Sequence, residues 1–318
     1  MPDTLHLLIP YAAGASEASR QALAGLRLPH LERLLARLTL QESDVADDDA
    51  LSAPHERALA RALGLPSAPG RIPWAAHHLH QQGRHAEAVQ GAWAFVTPCH
   101  WRVGADHVTL EDPAQLQLTE DEARALLALM APWFAEDGIT LLYDQPTRWL
   151  AQGDLLADLA TASPERVLHR DVSHWLPGEQ KSHPLRRLHS EIQMLLYTHP
   201  FNEAREAQRQ PPVNAFWVHG AGRLPQPPQP PGPPPVVEDG LREAALREDW
   251  AAWSAAWQGL DAGALARLAE HVARGGAARL TLCGERGALT WHTAPRSLGQ
   301  KITSIFKPQR FADVREQL

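Results

Sequence analysis

The pattern of apolar and polar positions in the first part of the chain predicts one buried strand followed by helices. Leu5 to Ile9 is a short apolar run that ends at Pro10, which is typical of a buried strand. Leucines at three- and four-residue spacing in the segment 29–39 predict an amphipathic helix. In this part of the chain, one helix is predicted to begin near Ser16, and three others are predicted at 29–39, 54–64 and 73–82.

The middle of the chain alternates between strand and helix patterns. Thr119 and Glu122 form the capping-box pattern at the start of an amphipathic helix. The other elements predicted here are strands over 93–111 around a turn at 104–106, a strand at 139–144, a turn, short strand and loop over 163–177, a helix over 183–200 and a short polar helix over 201–210. The order strand–strand–helix–strand in 93–144 indicates a mixed α/β organisation.

A proline tract separates the last part of the chain from the rest. Eight of the eleven residues in 225–235 are proline, which predicts an extended spacer and excludes a helix interior or a central strand. The elements predicted after the tract are helices over 238–258 and 261–274 and a β-hairpin over 278–293 that turns at Gly284 to Gly287. Trp250, Trp253 and Trp257 share one helix face, which indicates packing in a core or an interface. The tail SIFKPQRFADVREQL has no clear pattern.

These elements predict an α/β fold with a mixed sheet, flanking helices, a C-terminal helical segment and a hairpin. The predicted division is an α/β domain at 1–223, a proline-rich linker at 224–236, and C-terminal helices and hairpin at 237–318 that pack back on the same unit.

Composition narrows the class of protein. The 318 residues are 44% hydrophobic and 21% charged, as in ordinary globular proteins, and the net charge is −7. No basic run stands out, which argues against a nucleic-acid partner. The apolar run from Leu5 to Ile9 is short and has no basic region before it, which predicts no signal peptide. No apolar run reaches about 18 residues, so we expect a soluble, cytoplasmic protein with no membrane partner. Cys99 and Cys283 form no Cys-x-x-Cys pair, and two buried thiols are favoured over a disulfide between them.

Common catalytic and metal-binding motifs are missing from the sequence. His77, His78, His80 and His85 lie close together, but no two are four residues apart, so a solvated helix end is favoured over a helical zinc site. No Gly-x-Ser-x-Gly motif or P-loop is present. Gly220 and Gly222 do not form a dinucleotide fingerprint, because a proline tract and no helix follows them. We therefore predict no cofactor and no metal.

One polar set remains as a candidate ligand site, around the stretch PPVNAFWVHGAGR at 211–223. The stretch predicts a buried strand that runs into a tight glycine turn. Burying the amide of Asn214 costs about 1–3 kcal/mol unless it is satisfied, so this side chain either fixes a neighbouring loop or holds a ligand. Arg205 and Arg223 could bind a phosphate or carboxylate, or form surface ion pairs. The candidate ligand-binding residues are His199, Asn202, Arg205, Asn214, His219 and Arg223.

The segment 185–223 carries a family resemblance. It contains LRRL, EIQMLL, HPFNEAR, PVNAFW and Gly-x-Gly in that order. As a set, these motifs resemble a proteobacterial phosphoglycerate mutase-like family that includes the RpfE-type regulatory proteins. The segments 106–123 and 148–177 also fit. A more distant similarity is to the archaeal-type cofactor-independent phosphoglycerate mutases, which are two-metal phosphotransferases. The resemblance implies an alkaline-phosphatase or mutase-like remnant in the fold.

The first strand departs from the mutase pattern. Pro10 and Tyr11 stand where the resemblance implies a metal-binding Asp and a Gly, and no His-Asp pair or Gly-Asp-His-Ser/Thr motif follows in the C-terminal part. Two-metal catalysis needs such ligands around both ions. The resemblance therefore implies a non-catalytic regulatory protein, a pseudoenzyme that binds a small anionic metabolite. Two alternatives stay open: a metal-independent enzyme acting on phosphorylated or carboxylated small molecules, and a module that binds a protein partner through the proline tract and the tryptophan helix.

Overall fold

The computed structural model describes residues 4–294 and 311–318, with the side chains of 179–182 excepted. The strands are β1 (Leu5–Ile9), β2 (Thr39–Val45), β3 (Ala92–Cys99), β4 (Trp101–Val103), β5 (Val108–Leu110), β6 (Thr140–Gln145), β7 (Arg148–Gln152), β8 (Ala215–Arg223), β9 (Val236–Val237), β10 (Ala278–Cys283) and β11 (Gly287–His292). The helices are α1 (Glu17–Ala24), α2 (Pro29–Arg37), α3 (Pro54–Leu63), α4 (Trp74–Gln81), α5 (His85–Val89), α6 (Glu120–Glu136), α7 (Pro164–Val167), α8 (Glu179–Tyr197), α9 (Pro200–Ala207), α10 (Arg242–Leu246), α11 (Trp250–Leu260), α12 (Ala266–Ala273) and α13 (Phe311–Val314).

The chain forms two compact units, and each is built from segments that are distant in sequence. Unit 1 contains 1–48, 53–64 and 230–318, and unit 2 contains 49–52 and 65–229. The N-terminal strand and the C-terminal hairpin therefore lie in the same unit. This grouping differs from the sequence-based division at 223 and 237, because local patterns do not reveal that β1 pairs with β10.

Unit 1 is built on a five-stranded sheet in the order β2-β11-β10-β1-β9. The sheet is mixed, since β1 pairs in parallel with β9 and β10, while β11 is antiparallel to β10 and β2. Leu7, Leu280, Leu289 and other apolar residues of one face join Trp253 and Trp257 in the core of this unit. The predicted α/β fold with a mixed sheet and flanking helices is confirmed, as is the C-terminal hairpin. Trp253 and Trp257 of the predicted stripe are buried, and Trp250 is half-buried against the same core.

Unit 2 is built on a four-stranded antiparallel sheet in the order β6-β7-β3-β8, with the β4–β5 hairpin beside it. One face of this sheet packs in a core with apolar residues of α6 and α8. The predicted capping box begins α6: the Thr119 amide donates to a carboxylate oxygen of Glu122 at 2.9 Å, and the Glu122 amide donates to the Thr119 hydroxyl at 3.3 Å.

Several local predictions were wrong or incomplete. The short strand predicted in 163–177 is a helical turn, α7, because Ser163 followed by Pro164 is a favourable helix start. The helix predicted at 238–258 is split into α10 and α11, since Glu248 has φ +54° and Asp249 caps α11. A π-helical turn, Asp261–Leu265, then joins α11 to α12. Strands β2 and β7 had not been predicted.

None of the described helices is both long and apolar enough to cross a lipid bilayer. Cys99 and Cys283 are free and buried, so the preference for two thiols over a disulfide is confirmed. Burial raises the pKa of both thiols far above the ordinary value, and this keeps them protonated.

Candidate functional site

Four of the six residues predicted to bind a ligand lie at the junction of α8, α9 and β8. His199 caps α9, and its Nδ1 accepts a hydrogen bond from the Phe201 amide at 3.1 Å. Asn202 is 5% exposed, and its Nδ2 donates to the carbonyls of Leu196 (2.9 Å) and Val213 (2.7 Å). Its Oδ1 accepts from the Val213 amide at 2.9 Å. Asn202 therefore fastens the end of α8 to the chain just before β8.

Asn214 links the start of β8 to β4. Its Oδ1 accepts from the Trp101 amide at 2.7 Å, and its Nδ2 donates to the Trp101 carbonyl at 2.9 Å. The side-chain amide thus pairs with a backbone residue as another strand would. This arrangement is the structural alternative that the sequence left open for Asn214, the fixing of a neighbouring segment.

Arg205 is 1% exposed, and each of its three nitrogens has a partner inside unit 2. Nε donates to the Pro211 carbonyl at 3.0 Å, Nη1 contacts Glu122 at 2.7 Å, and Nη2 donates to the Leu116 carbonyl at 2.5 Å. The guanidinium therefore joins the start of α6 to the segment that leads into β8.

His219 and Arg223 do not converge with the other four residues. The Nε2 atom of His219 lies 3.1 Å from the Thr97 hydroxyl on the sheet face that carries Phe95. Burial of the ring, followed by the charge of Arg148, lowers the pKa of His219. Arg223 is exposed and pairs with Asp154 at 2.7 Å. Since Arg223 and Asn214 lie at opposite ends of a strand, they are roughly 30 Å apart along the chain. Ligand binding by the six residues together stays a prediction.

The prediction of a tight glycine turn at the end of the stretch 211–223 is wrong, because β8 continues through Gly220 and Gly222 to Arg223. The pairing of β8 with β3 shifts register between Trp93 and Phe95, beside the glycines. Gly220 has φ +60°, and a Cβ on it would lie 3.0 Å from the Cβ of Trp74. Glycine is needed here because the first turn of α4 approaches the strand backbone.

Replacing Gly220 with alanine should therefore lower the free energy of unfolding by about 2 kcal/mol, since a left-handed backbone and a close contact are both imposed on a Cβ. Gly259→Ala is the control, because a Cβ at this position in α11 would meet no atom within 4 Å. The control should be neutral or stabilising by about 0.5–1 kcal/mol. Urea unfolding of the full chain measures both variants. An equal effect of the two changes would contradict the role of Gly220.

The histidine segment 77–85 lies in and after α4. His77 is buried, His78 lies 3.2 Å from a carboxylate oxygen of Asp144, and the rings of His80 and His85 are 4.3 Å apart. Within the described ranges 4–294 and 311–318, no three His, Cys, Asp or Glu side chains form a group that could hold a metal ion.

The carboxyl ends of the parallel strands in unit 1 do not fit the metal pair of the mutases. β1 ends at Ile9 and is followed by Pro10 and Tyr11; the Tyr11 carbonyl accepts a hydrogen bond from the Trp253 indole at 2.9 Å. β10 ends in Cys283, a thiol kept protonated by burial. Hydrocarbon, aromatic and protonated thiol groups are poor ligands for the hard divalent ions of phosphotransferases.

A cavity of about 110 Å³ lies on the other face of the unit 1 sheet, under α3. Five polar side chains of the sheet line it: His6 from β1, Glu42 from β2, Arg279 and Thr281 from β10, and Thr290 from β11. The remaining lining residues are Ala58, Arg61, Ala62 and Pro231. By comparison, an engineered cavity of about 150 Å³ in another protein holds benzene, so this one has room for a group of about four or five non-hydrogen atoms.

A chain of hydrogen bonds runs across the floor of this cavity. His6 Nε2 and the Thr281 hydroxyl are 2.9 Å apart, and the hydroxyls of Thr281 and Thr290 are 3.0 Å apart. All three side chains are buried. Burial, and then the charge of Arg279, lower the pKa of His6 to about 4, which leaves its imidazole neutral at neutral pH.

Among the described residues around the cavity, the positive charges outnumber the negative charges by one. Arg61 lies 2.7 Å from Glu42 and 2.6 Å from Asp44, and Arg57 lies 3.1 Å from Asp44. These two cations and two anions balance one another. Arg279 is half-buried, and among the described residues no carboxylate lies within ion-pair distance of it. Counted over the described residues, the cavity therefore has a net charge of one positive unit, carried by Arg279.

The sequence alone did not point to these cavity residues. Polar residues alternate with apolar ones in β10 and β11, at Arg279, Thr281, Thr290 and His292, which is a local signal for a polar sheet face. His6 is the one polar residue of β1, but its position beside Thr281 depends on pairing between residues 275 positions apart.

Two solved structures resemble the chain at low similarity. A cofactor-independent phosphoglycerate mutase from Thermoplasma acidophilum has 14% identity and a TM-score of 0.35, and the alignment covers 93% of this chain and 91% of that protein. The PH0037 protein from Pyrococcus horikoshii has 12% identity and a TM-score of 0.41, with coverage of 92% and 88%. At these identities and TM-scores, neither similarity shows a functional site or an activity for this chain.

The sequence comparisons gave no relatives. No protein-family model and no curated protein matches the chain. The resemblance to the RpfE-type regulatory proteins therefore stays a prediction.

Proposed function

We propose that the protein is a non-catalytic regulatory protein that binds a small anionic metabolite, and that the anionic group of this ligand occupies the cavity under α3. The observation that carries the proposal is Arg279, a half-buried cation with no carboxylate partner among the described residues, beside the hydroxyls of Thr281 and Thr290. A half-buried charge is costly unless it is neutralised, so an anion would gain both charge pairing and hydrogen bonds here.

The cavity supports binding better than catalysis. His6 and Thr281 are close enough for proton transfer, but nucleophilic dyads of this kind need a third group that orients the base. No carboxylate contacts the His6 ring within the part of the chain that the structure describes. Thr281 is also 1% exposed, so a substrate would reach its hydroxyl only through the cavity.

Arg279→Gln tests the proposal by calorimetric titration of the full chain with sodium formate, sulfate and phosphate. The variant should bind the anion that the wild type prefers at least about 10-fold more weakly, because a hydrogen bond to a charged group contributes about 1.5–3 kcal/mol. Arg274→Gln is the matched control: Arg274 is an exposed arginine of unit 1 that pairs with Glu270. Its affinity should be unchanged. Absence of binding by every anion, or equal binding by the two variants, would refute the proposal.

A further inference from the structure

We infer that the cavity under α3 takes a singly charged carboxylate at neutral pH, and admits a doubly charged oxyanion only together with a proton on His6. This inference rests on the proposed function, because it assumes that an anion binds at Arg279. It adds the chemical class of the anion, which follows from the number of charges and donors that face the cavity.

The first step is the charge balance. The ion pairs of Glu42, Asp44, Arg57 and Arg61 leave Arg279 as the one uncompensated charge at the cavity among the described residues. A carboxylate would bring the site to neutrality. A dianion would leave one negative charge uncompensated beside the buried side chains of His6, Thr281 and Thr290, and such a charge is expensive unless a nearby group is protonated.

The second step is the fit of a carboxylate to the donors. Arg279 is paired with His6 across β1 and β10, and partners in this register present their side chains on the same sheet face. A guanidinium binds the two oxygens of a carboxylate through two parallel hydrogen bonds. A cavity of about 110 Å³ holds the carboxylate and a short stem.

The third step is the proton on His6. The neutral ring can donate from Nε2 to Thr281, which then donates to Thr290, so that the last hydroxyl proton of the chain is available to the ligand. A second negative charge in the cavity would raise the pKa of His6 from about 4, because it favours the charged imidazolium. Binding of a dianion would therefore take up a proton and strengthen as the pH falls.

Other titratable groups face the same region and define the controls. Glu42 on β2, Arg61 on α3 and Arg279 on β10 line the cavity. His292 on β11 pairs across the sheet with Arg279, so it is a second imidazole near the site. A comparison of His6→Gln with His292→Gln shows which ring takes up the proton.

The experiment is calorimetric titration of the full chain with sodium formate and with sodium sulfate, two anions whose charge is constant between about pH 5.5 and 7.5. Near pH 7.5 we expect formate to bind at least about 10-fold more tightly than sulfate. Sulfate affinity should rise by up to about 10-fold for each unit of falling pH, while formate affinity changes less than about 2-fold.

Proton uptake gives a second readout. Titrations in buffers with different ionisation enthalpies should show uptake of up to one proton with sulfate and none with formate. His6→Gln should abolish this uptake and the pH dependence of sulfate binding, and His292→Gln should preserve both. Sulfate binding as tight as that of formate near neutral pH, or uptake that depends on His292, would overturn the inference while the proposed function stands. Absence of binding by both anions would also overturn the inference, and absence of binding by phosphate as well would refute the proposed function itself.

Discussion

Arg205→Ala should destabilise the protein by about 3–5 kcal/mol, the usual cost of removing one partner from a buried charge pair. Arg205 holds Glu122 and the carbonyls of Leu116 and Pro211 with its three nitrogens. The substitution leaves both carbonyls without this donor in a buried region and removes the charge that faces Glu122. Urea unfolding of the full chain, followed by tryptophan fluorescence, measures the change.

Arg124→Ala is the matched control for Arg205. Arg124 pairs with Glu120 one turn away on α6, but both side chains are more than half exposed. An exposed pair of this type contributes about 0.3–0.5 kcal/mol, and the contact of the Arg124 guanidinium with the Tyr143 ring, 3.9 Å from its centre, adds about 0.5–1 kcal/mol. If the Arg205 variant lost no more stability than the Arg124 variant, the structural role assigned to Arg205 would be wrong, and a role in ligand binding would regain support.

Acid should destabilise the wild-type protein well before its carboxylates titrate, and His189 should account for a large share of the loss. His189 is 6% exposed, its ring stacks between Trp101 and Phe216, and its Nδ1 has no hydrogen-bond partner among the described residues. Burial lowers its pKa from 6.5 to about 3. Below pH 6.5 the His189 imidazole is protonated in the unfolded chain but stays neutral in the folded chain. The free energy of unfolding therefore falls as the pH drops from 6.5 toward 3.

His189→Phe should remove this part of the acid sensitivity. One pKa unit corresponds to about 1.36 kcal/mol, so near pH 5 the wild type should have lost about 2 kcal/mol through His189 alone. The variant should lose about that much less, and at neutral pH it should be as stable as the wild type or more, because an unpaired buried nitrogen is replaced by carbon.

Urea midpoints at about pH 7.5 and about pH 5 measure the effect, with His174→Phe as the control. The His174 side chain is 80% exposed, so its substitution should leave the acid sensitivity unchanged. His6 has a lowered pKa as well, and its contribution remains in both variants. Identical loss of stability in the wild type and in His189→Phe would show that His189 can be protonated in the folded state.

The sequence by itself determined the elements whose stabilising contacts are local. The capping box of Thr119 and Glu122 spans three residues, and the hairpin of β10 and β11 turns within a few positions, so both could be predicted from spacing alone. The burial of the tryptophan stripe on α11 followed in the same way from the periodicity of one helix. The amide of Asn214, which is half-buried just before β8, has the specific partner that its predicted burial called for, the backbone of Trp101.

The tertiary structure decided which distant segments meet, because a local pattern fixes a residue's face and not its partner. A carboxylate oxygen of Asp261 accepts a hydrogen bond from the Leu31 amide at the start of α2. The two residues are 230 positions apart, and no sequence pattern near α2 predicts this contact. His6 and Thr281, 275 residues apart, lie side by side only because β1 pairs with β10. The cavity under α3, where Arg279 has no carboxylate partner among the described residues, exists for the same reason.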